Sequence, residues 1–168
     1  MQKSRNLGVI LTSAVLCFGG PNKDASVFID YNAATDVVEA CSNVTTAKMV
    51  AAVRISNASD LDGYSFQLDY DTTIFRLLEC ETPGSGTGDF FLESNGGKVG
   101  PLLKMEKSGS IEISASLVGN DRTQAPDGDG VLALITFQRL TNYACELKLS
   151  KVELIDSDLI LDTKQEDR

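Results

Sequence analysis

Apolar residues recur at every second position over much of this chain, and this period constrains the fold more than any other feature. Apolar and polar residues alternate without exception over residues 110–117, and residues 63–70 repeat the pattern. A period of two is that of a β-strand with one buried face and one face in solvent. Very little of the sequence has the 3.6-residue period of an amphipathic helix. The chain is therefore predicted to be all-β.

Seven further segments are predicted to be strands from their apolar or alternating composition. They are residues 27–31, 47–55, 74–80, 102–105, 131–137, 147–154 and 159–161. Clusters of Gly, Pro, Asn, Asp and Ser separate them and predict turns. The alternation shifts by one residue after Leu149, which indicates a β-bulge. Eight or nine short strands separated by turns predict a two-sheet sandwich or jelly roll.

The first twenty residues have the composition of a secretory leader. Lys3 and Arg5 form a short basic start, an uncharged apolar run covers residues 7–18, and Gly-Gly-Pro follows it. This is the layout of a signal peptide, and the run is too short to cross a bilayer as a helix. Residues 1–20 are therefore predicted to be a signal peptide, and the protein is expected to be secreted or at the cell surface.

Two fates of the leader stay open. Cleavage after Gly19 would release the chain, whereas lipidation of Cys17 would give it a lipid anchor at the membrane. Leu16 is bulkier than the small residue that usually precedes a lipidated cysteine, which favours free secretion. The β-sandwich domain is expected over residues 21–161, and a polar tail over residues 162–168.

The charge of the chain disfavours two classes of partner. It has 15 Lys and Arg residues against 24 Asp and Glu residues, a net charge of −9 at pH 7. Nucleic acids and anionic membranes attract clustered positive charge, so neither is expected as a partner.

The sequence contains no histidine, and this removes most of the catalytic machinery of hydrolases. Ser-His-Asp and Cys-His arrangements and most catalytic zinc sites need that residue. Paired carboxylates could still hydrolyse glycosides, but so many acidic residues produce chance pairs. No catalytic residue, metal site or cofactor is therefore predicted, and the chain is not expected to be an enzyme.

Two local features resemble binding motifs but have simpler explanations. Residues 127–130 read Asp-Gly-Asp-Gly, yet an apolar strand follows them instead of the remaining ligands of a calcium loop. A tight turn that leads into the strand is expected there.

Phe90 and Phe91 are adjacent, so one of them would be exposed in a strand. Residues of a loop folded over the core are the favoured interpretation.

Three cysteines, Cys41, Cys80 and Cys145, remain once the leader is removed. Cys41 precedes one predicted strand and Cys145 follows another, so the two would meet if those strands are antiparallel neighbours. A Cys41–Cys145 disulfide and a buried, unreactive Cys80 are predicted. Three unpaired thiols are the alternative.

Several stretches, in order, resemble the cohesin domain family. They are VRISNASDLDGYSFQLDYD at 53–71 followed by IFRLLE, GSIEISASL at 109–117, GDGVLALITF at 128–137, and the segment from 147 that closes on LIDSD. The resemblance covers residues 27–161. It implies a nine-stranded jelly-roll β-sandwich that binds a dockerin, a small calcium-loaded helical module, so that enzymes assemble on a cellulosome scaffold.

In that family, a flat face of the third, fifth, sixth and eighth strands binds the partner. Carried over by the resemblance, and placed on a polar face by the alternation, the partner-binding residues are Gly63, Ser65, Gln67, Asp69, Glu112, Ser114, Ser116, Val118, Gly119 and Asn120. Cellulosomal members often have Asn and Asp at the positions of Gly63 and Ser65, and an acidic residue near Val118. The specificity for dockerins is therefore expected to differ from theirs.

A carbohydrate-binding module of the same architecture is the alternative, with a polysaccharide as partner. Such a module needs a strip of exposed aromatic rings that stack on sugars. The sequence has no tryptophan, and most of its Tyr and Phe residues fall on inward positions.

Overall fold

The computed structural model describes residues 15–17, 20–34, 37–41, 47–85, 89–100, 103–119, 122–141 and 146–165. Within these ranges the strands are β1 (Val15–Cys17), β2 (Ser26–Asp30), β3 (Lys48–Ala58), β4 (Leu61–Tyr70), β5 (Phe75–Glu81), β6 (Leu103–Lys107), β7 (Ser110–Ser116), β8 (Gly128–Arg139), β9 (Leu147–Asp156) and β10 (Leu161–Gln165). Two single turns of 3-10 helix cover Phe91–Glu93 and Arg122–Gln124.

Strands β2 to β10 correspond one to one with the nine strands predicted from the sequence. Most bounds agree within a few residues, and the last strand differs most, because it begins at Leu161 instead of at residue 159. Leu159 and Ile160 belong to the turn that follows β9, where the Leu159 amide donates a hydrogen bond to the Asp156 carbonyl at 2.9 Å.

The strands form two antiparallel sheets. The order is β5-β8-β3-β2 in the first sheet and β10-β9-β4-β7-β6 in the second. Strand β1 pairs with both β2 and β10 and so joins the sheets along one side. Strands β5 and β6 are the two open edges. The predicted all-β sandwich is confirmed.

One core lies between the sheets and is built from alternate residues of the strands. Tyr64, Phe66 and Leu68 of β4 are at most 3% exposed, and Ile111 and Ile113 of β7 are fully buried. Burying each such side chain contributes roughly 1.5–3 kcal/mol. The alternation that predicted these inward faces is confirmed.

The predicted bulge of β9 lies at Lys151. Ser65 of β4 pairs with Glu153, whereas Gln67 pairs with Ser150, so β9 has one residue more than β4 over this stretch. The extra residue, Lys151, has a left-handed backbone with φ of 49°. The bulge keeps the apolar residues on both sides of it in the core.

The Asp-Gly-Asp-Gly stretch caps the hairpin between β3 and β4. Asp127 accepts a hydrogen bond from the Asp60 amide at 2.7 Å, and Asp129 accepts one from the Asn57 amide at 2.8 Å. Strand β8 already begins at Gly128, so the turn predicted over residues 127–130 is shorter than expected. Within the described ranges, no three His, Cys, Asp or Glu side chains are placed to hold a metal ion.

Strand β1 lies inside the segment that was predicted to be a signal peptide. Leu16 pairs with Ser26 of β2 and with Gln165 of β10. Removal of the leader would delete this strand and leave β2 and β10 without a partner between them. No helix in the described part of the chain has the length and apolar character to cross a membrane.

Cys41 is buried and disulfide-bonded. Cys145 lies outside the described residues, so its pairing with Cys41 stays a prediction. Tyr31 supports that pairing. Its amide donates to the Glu39 carbonyl at 3.1 Å, and its hydroxyl donates to the Leu147 carbonyl at 3.3 Å. The segments that lead to Cys41 and away from Cys145 therefore meet at one residue, Tyr31.

Cys80 of β5 is a free, half-buried thiol. Burial raises its pKa to about 11. Cys80 is therefore less buried than predicted, and because the thiolate is the reactive form of cysteine, its low reactivity at neutral pH stays a prediction.

We predict that non-reducing peptide mapping finds Cys41 linked to Cys145 and Cys80 unlinked. Native iodoacetamide labelling of Cys80 should be slow at pH 8, because a pKa of about 11 leaves on the order of 0.1% thiolate. The labelling rate, followed by mass spectrometry, should rise about tenfold per pH unit between pH 8 and 10. Fast labelling at pH 8, or a link that includes Cys80, would contradict this.

Candidate partner-binding face

The outer face of the β10-β9-β4-β7-β6 sheet is a grid of residues that lie opposite one another on neighbouring strands. Gly63, Ser65, Gln67 and Asp69 of β4 lie opposite Ser116, Ser114, Glu112 and Ser110 of β7. On the other side of β4, they lie opposite Ile155, Glu153, Ser150 and Lys148 of β9. The structure therefore brings the predicted residues of β4 and β7 together on one surface, here called the outer face.

Three hydrogen bonds order the polar side chains at the centre of the outer face. Ser65 Oγ donates to Glu153 Oε2 at 3.2 Å. Gln67 Nε2 donates to one carboxylate oxygen of Asp69 at 2.7 Å, and Ser150 Oγ donates to the other at 3.1 Å. Because these side chains are already held in place, a partner that binds them loses less side-chain entropy.

Strand β6 adds two apolar side chains to the outer face that the sequence prediction did not assign to it. Leu103 lies opposite Ser114, and Met105 lies opposite Glu112. They are 48% and 37% exposed. Leu103 and Met105 alternate with Lys104 and Glu106, but all five residues of this edge strand are exposed, so the pattern does not mark a buried side.

A shallow depression of about 160 Å³ lies at one end of the outer face, around Gly63. Its walls include Ser65, Ser114, Ser116, Glu153, Ile155 and Leu161. A Cβ atom at Gly63 would lie 2.9 Å from Ile155 Cγ2 and 3.0 Å from the Ala115 carbonyl oxygen. Glycine at this position therefore lets its neighbours pack close to the β4 backbone, and the space that these residues border is here called the Gly63 depression. Ile155 and Leu161 were not predicted as site residues.

The remaining predicted residues follow β7 at the same end of the sheet. Val118 is 53% exposed, and its amide donates to the Lys98 carbonyl at 2.7 Å. Gly119 is exposed and has φ of 118°, a conformation that favours glycine. Asn120 lies outside the described residues.

The described aromatic residues do not form a sugar-stacking strip. Tyr64, Phe90 and Phe91 are at most 5% exposed. Tyr70 is half-buried, and its ring packs edge-on against Phe137 with centroids 5.1 Å apart. Within the described ranges, the strongly exposed large apolar side chains are all aliphatic. The carbohydrate-binding alternative therefore lacks the surface that it requires there, and Phe90 and Phe91 cover the core as expected.

Asp62 precedes Gly63 in β4 and lies near two other carboxylates, Asp60 and Asp156. Leu61 pairs with Asp156 and Gly63 with Ile155, so Asp62 stands at a register shift in β4. Burial, followed by repulsion from Asp60 and from Asp156, raises the pKa of the Asp62 carboxyl. Three carboxylates therefore lie close together where β4 begins.

We predict that Asp62→Asn stabilises the protein at pH 7 and has less effect at pH 4. A raised folded-state pKa means that the contribution of Asp62 is complete below its unfolded pKa, about 3.9, and is lost as the pH rises through the folded value. The amide mimics the protonated carboxyl and removes that loss. Urea midpoints at both pH values measure the effect. Glu79→Gln on the other sheet is the control, and equal gains from both substitutions would contradict the prediction.

No family model matches this chain, and no curated protein matches it significantly. Solved structures of cohesins do match. The second type II cohesin module of the ScaA scaffoldin of Acetivibrio cellulolyticus is 17% identical, with 80% of this chain and 82% of that one covered and a TM-score of 0.57. A non-cellulosomal cohesin from the archaeon Archaeoglobus fulgidus is 18% identical, with 71% and 73% covered and a TM-score of 0.50.

A further match is the structure of an interface mutant of a type II cohesin–X-dockerin complex from Acetivibrio cellulolyticus. It is 17% identical, with 80% of this chain and 90% of that one covered and a TM-score of 0.55. At these identities the similarity establishes the fold alone. The chain has the cohesin fold, as the resemblance in its sequence indicated.

Proposed function

We propose that this chain is a protein-binding module of cohesin type that holds a dockerin-like helical module on its outer face. The observation that carries the proposal is the face itself. Its centre is a row of polar side chains ordered by hydrogen bonds, and exposed Leu103, Met105 and Leu161 lie at its margins. The cohesin–X-dockerin structure that this fold matches supports the class of partner.

The size of the outer face suits a stable interface. Strand β4 has 10 residues, which extend about 33 Å, and five strands are about 19 Å across. The flat area is then roughly 600 Å² before side-chain relief, close to the roughly 800 Å² that each partner buries in an interface of standard size.

The partner contacts are proposed at the residues that the sequence singled out. They are Gly63, Ser65, Gln67, Asp69, Glu112, Ser114, Ser116, Val118, Gly119 and Asn120. Because Gly63 and Ser65 stand where cellulosomal cohesins often have Asn and Asp, we infer a different choice of dockerin. The module is proposed to act by binding alone, without catalysis.

We predict that Glu112→Arg weakens dockerin binding at least tenfold, because it places a long cation at the centre of the outer face. Glu79→Arg, the same substitution on the other sheet, should change affinity less than twofold. Calorimetric titration against a panel of type I and type II dockerins measures both, with unfolding midpoints to confirm that the variants fold. A panel without any binder would contradict the dockerin class. Equal weakening by both substitutions would contradict the face.

We further propose that the chain is exported and loses residues 1–19. The measurement is the mass of the protein recovered outside a secretion-competent bacterial host. A mature chain that begins at Gly20 is expected. A full-length chain in which residues 15–17 resist proteolysis would show instead that β1 belongs to the mature fold, and a chain that begins at lipidated Cys17 would also contradict cleavage after Gly19.

A further inference from the structure

The Gly63 depression combines apolar walls, an acidic rim and a position on the outer face. We propose, given the protein-binding function above, that it receives one apolar side chain of valine to leucine size from the partner's helix, and that a basic residue flanks this side chain. The end of the outer face around Gly63 is then the apolar anchor of the interface. The residues of this anchor determine which side chains a partner needs at that position, namely one aliphatic and one basic.

The apolar walls continue across three neighbouring strands. Leu161 of β10 lies opposite Ile155 of β9, which lies opposite Gly63 of β4. Leu161 is 54% exposed, and the preceding Leu159 and Ile160 are 71% and 49% exposed. Single exposed apolar residues are common on protein surfaces, whereas several that are adjacent mark an interaction site. Three consecutive exposed aliphatic residues beside a polar surface are therefore typical of such a site.

The backbone of the turn holds one of these side chains in a costly conformation. Leu159 has φ of 63°, in the left-handed region that bulky residues rarely adopt. The Ile160 amide donates to Asp156 Oδ1 at 2.8 Å, which fixes the turn. Such strain is common where a segment serves binding. The turn therefore presents its aliphatic residues to solvent beside the Gly63 depression.

Glycine at position 63 is explained by space and not by backbone conformation. Gly63 is absent from the glycines with positive φ, so an L-residue could adopt its backbone angles. Glycine inside a strand is destabilising relative to alanine and often marks a close approach by another molecule. Glycine here lets Ile155 and Ser116 pack against the backbone of β4, because a Cβ at position 63 would lie 2.9 Å from Ile155 Cγ2 and 3.0 Å from Ser116 Cβ.

The volume of the depression selects a small aliphatic group. An apolar cavity of about 150 Å³ holds a benzene molecule, so the roughly 160 Å³ at Gly63 holds a branched aliphatic side chain. An aliphatic side chain would bury its surface against Ile155 and Leu161, the outward apolar residues of the lining. Valine, leucine and isoleucine therefore fit best.

Charge selects the residue that flanks the aliphatic group. Glu153 is the charged residue that lines the depression, and Asp62 is adjacent along β4 to Gly63. The lysines of the outer face, Lys107, Lys148 and Lys151, do not line it. A lysine or arginine beside the inserted side chain would pair with Glu153, whereas an acidic residue would be repelled.

The first experiment uses small probes and needs no dockerin. Acetyl-Leu-Lys-amide and acetyl-Leu-Glu-amide are titrated into the isotope-labelled full chain and followed by NMR. The lysine peptide should shift the Gly63 amide and the Ile155 methyl signals saturably, with a millimolar Kd, and should bind at least threefold more tightly than the glutamate peptide. Glu153→Gln should remove that difference. Shifts that do not include Gly63, or equal affinity of the two peptides, would overturn the proposal.

The second experiment uses whichever dockerin of the panel binds the chain. Leu161→Ser should weaken binding at least tenfold, whereas Leu140→Ser, at a leucine of similar exposure lining the cleft beside the β5 and β6 edges, should change it less than twofold. Gly63→Ala should also weaken binding. The new Cβ of Gly63→Ala would press on the Ala115 carbonyl, and this variant could misfold for that reason. Leu161→Ser changes an exposed residue and keeps the test valid in that case.

The two experiments separate failure of the anchor from failure of the function. If no dockerin binds, the proposed function is contradicted, and the peptide titration still decides whether the Gly63 depression takes an aliphatic side chain. If a dockerin binds and Leu161→Ser leaves its affinity unchanged, the anchor is contradicted and the protein-binding function stands.

Discussion

Burial of alternate side chains beneath the outer face determines where every residue on that face lies. Tyr64, Phe66 and Leu68 are in the core together with Ile111 and Ile113 of the neighbouring strand. Because side chains of a strand alternate between its faces, a slip of one residue would expose all five of these side chains. At roughly 1.5–3 kcal/mol for each, such a slip would cost about as much as the whole stability of a typical domain. The register of the polar grid is a consequence of this core.

Two irregularities adjust that grid without disturbing the core. The bulge at Lys151 restores the inward phase of β9, and the register shift at Asp62 stands beside Gly63. Between them, the outer face divides into an ordered polar centre and an apolar end with an acidic rim. Interfaces commonly combine these two parts, since buried apolar anchors supply most of the affinity and ordered polar groups supply direction. On the outer face, where we propose that a partner binds, the cohesin fold therefore places a polar centre and an apolar end side by side.

The two long central strands of the face could be predicted almost completely, and its margins could not. Alternation identified the outward residues of β4 and β7, and it located the bulge of β9 within two residues. Leu103, Met105 and Leu161 were missed, because short edge strands and turns carry too few residues to show a period. The turn over residues 127–130 was predicted too long, because two aspartates that suggest a turn serve instead to cap the neighbouring hairpin.

What the sequence by itself determined is which side of each strand is apolar, and hence that the chain forms a sandwich with one polar sheet face available. Only the tertiary structure decided which strands are neighbours, and therefore that Leu161, Ile155 and Gly63 form one continuous row. The physical reason is that alternation is a local property, recorded within a few residues, whereas strand pairing joins residues far apart in the chain, such as Leu16 and Gln165. A depression bordered by residues of β4, β7, β9 and β10 has no signature in any single segment.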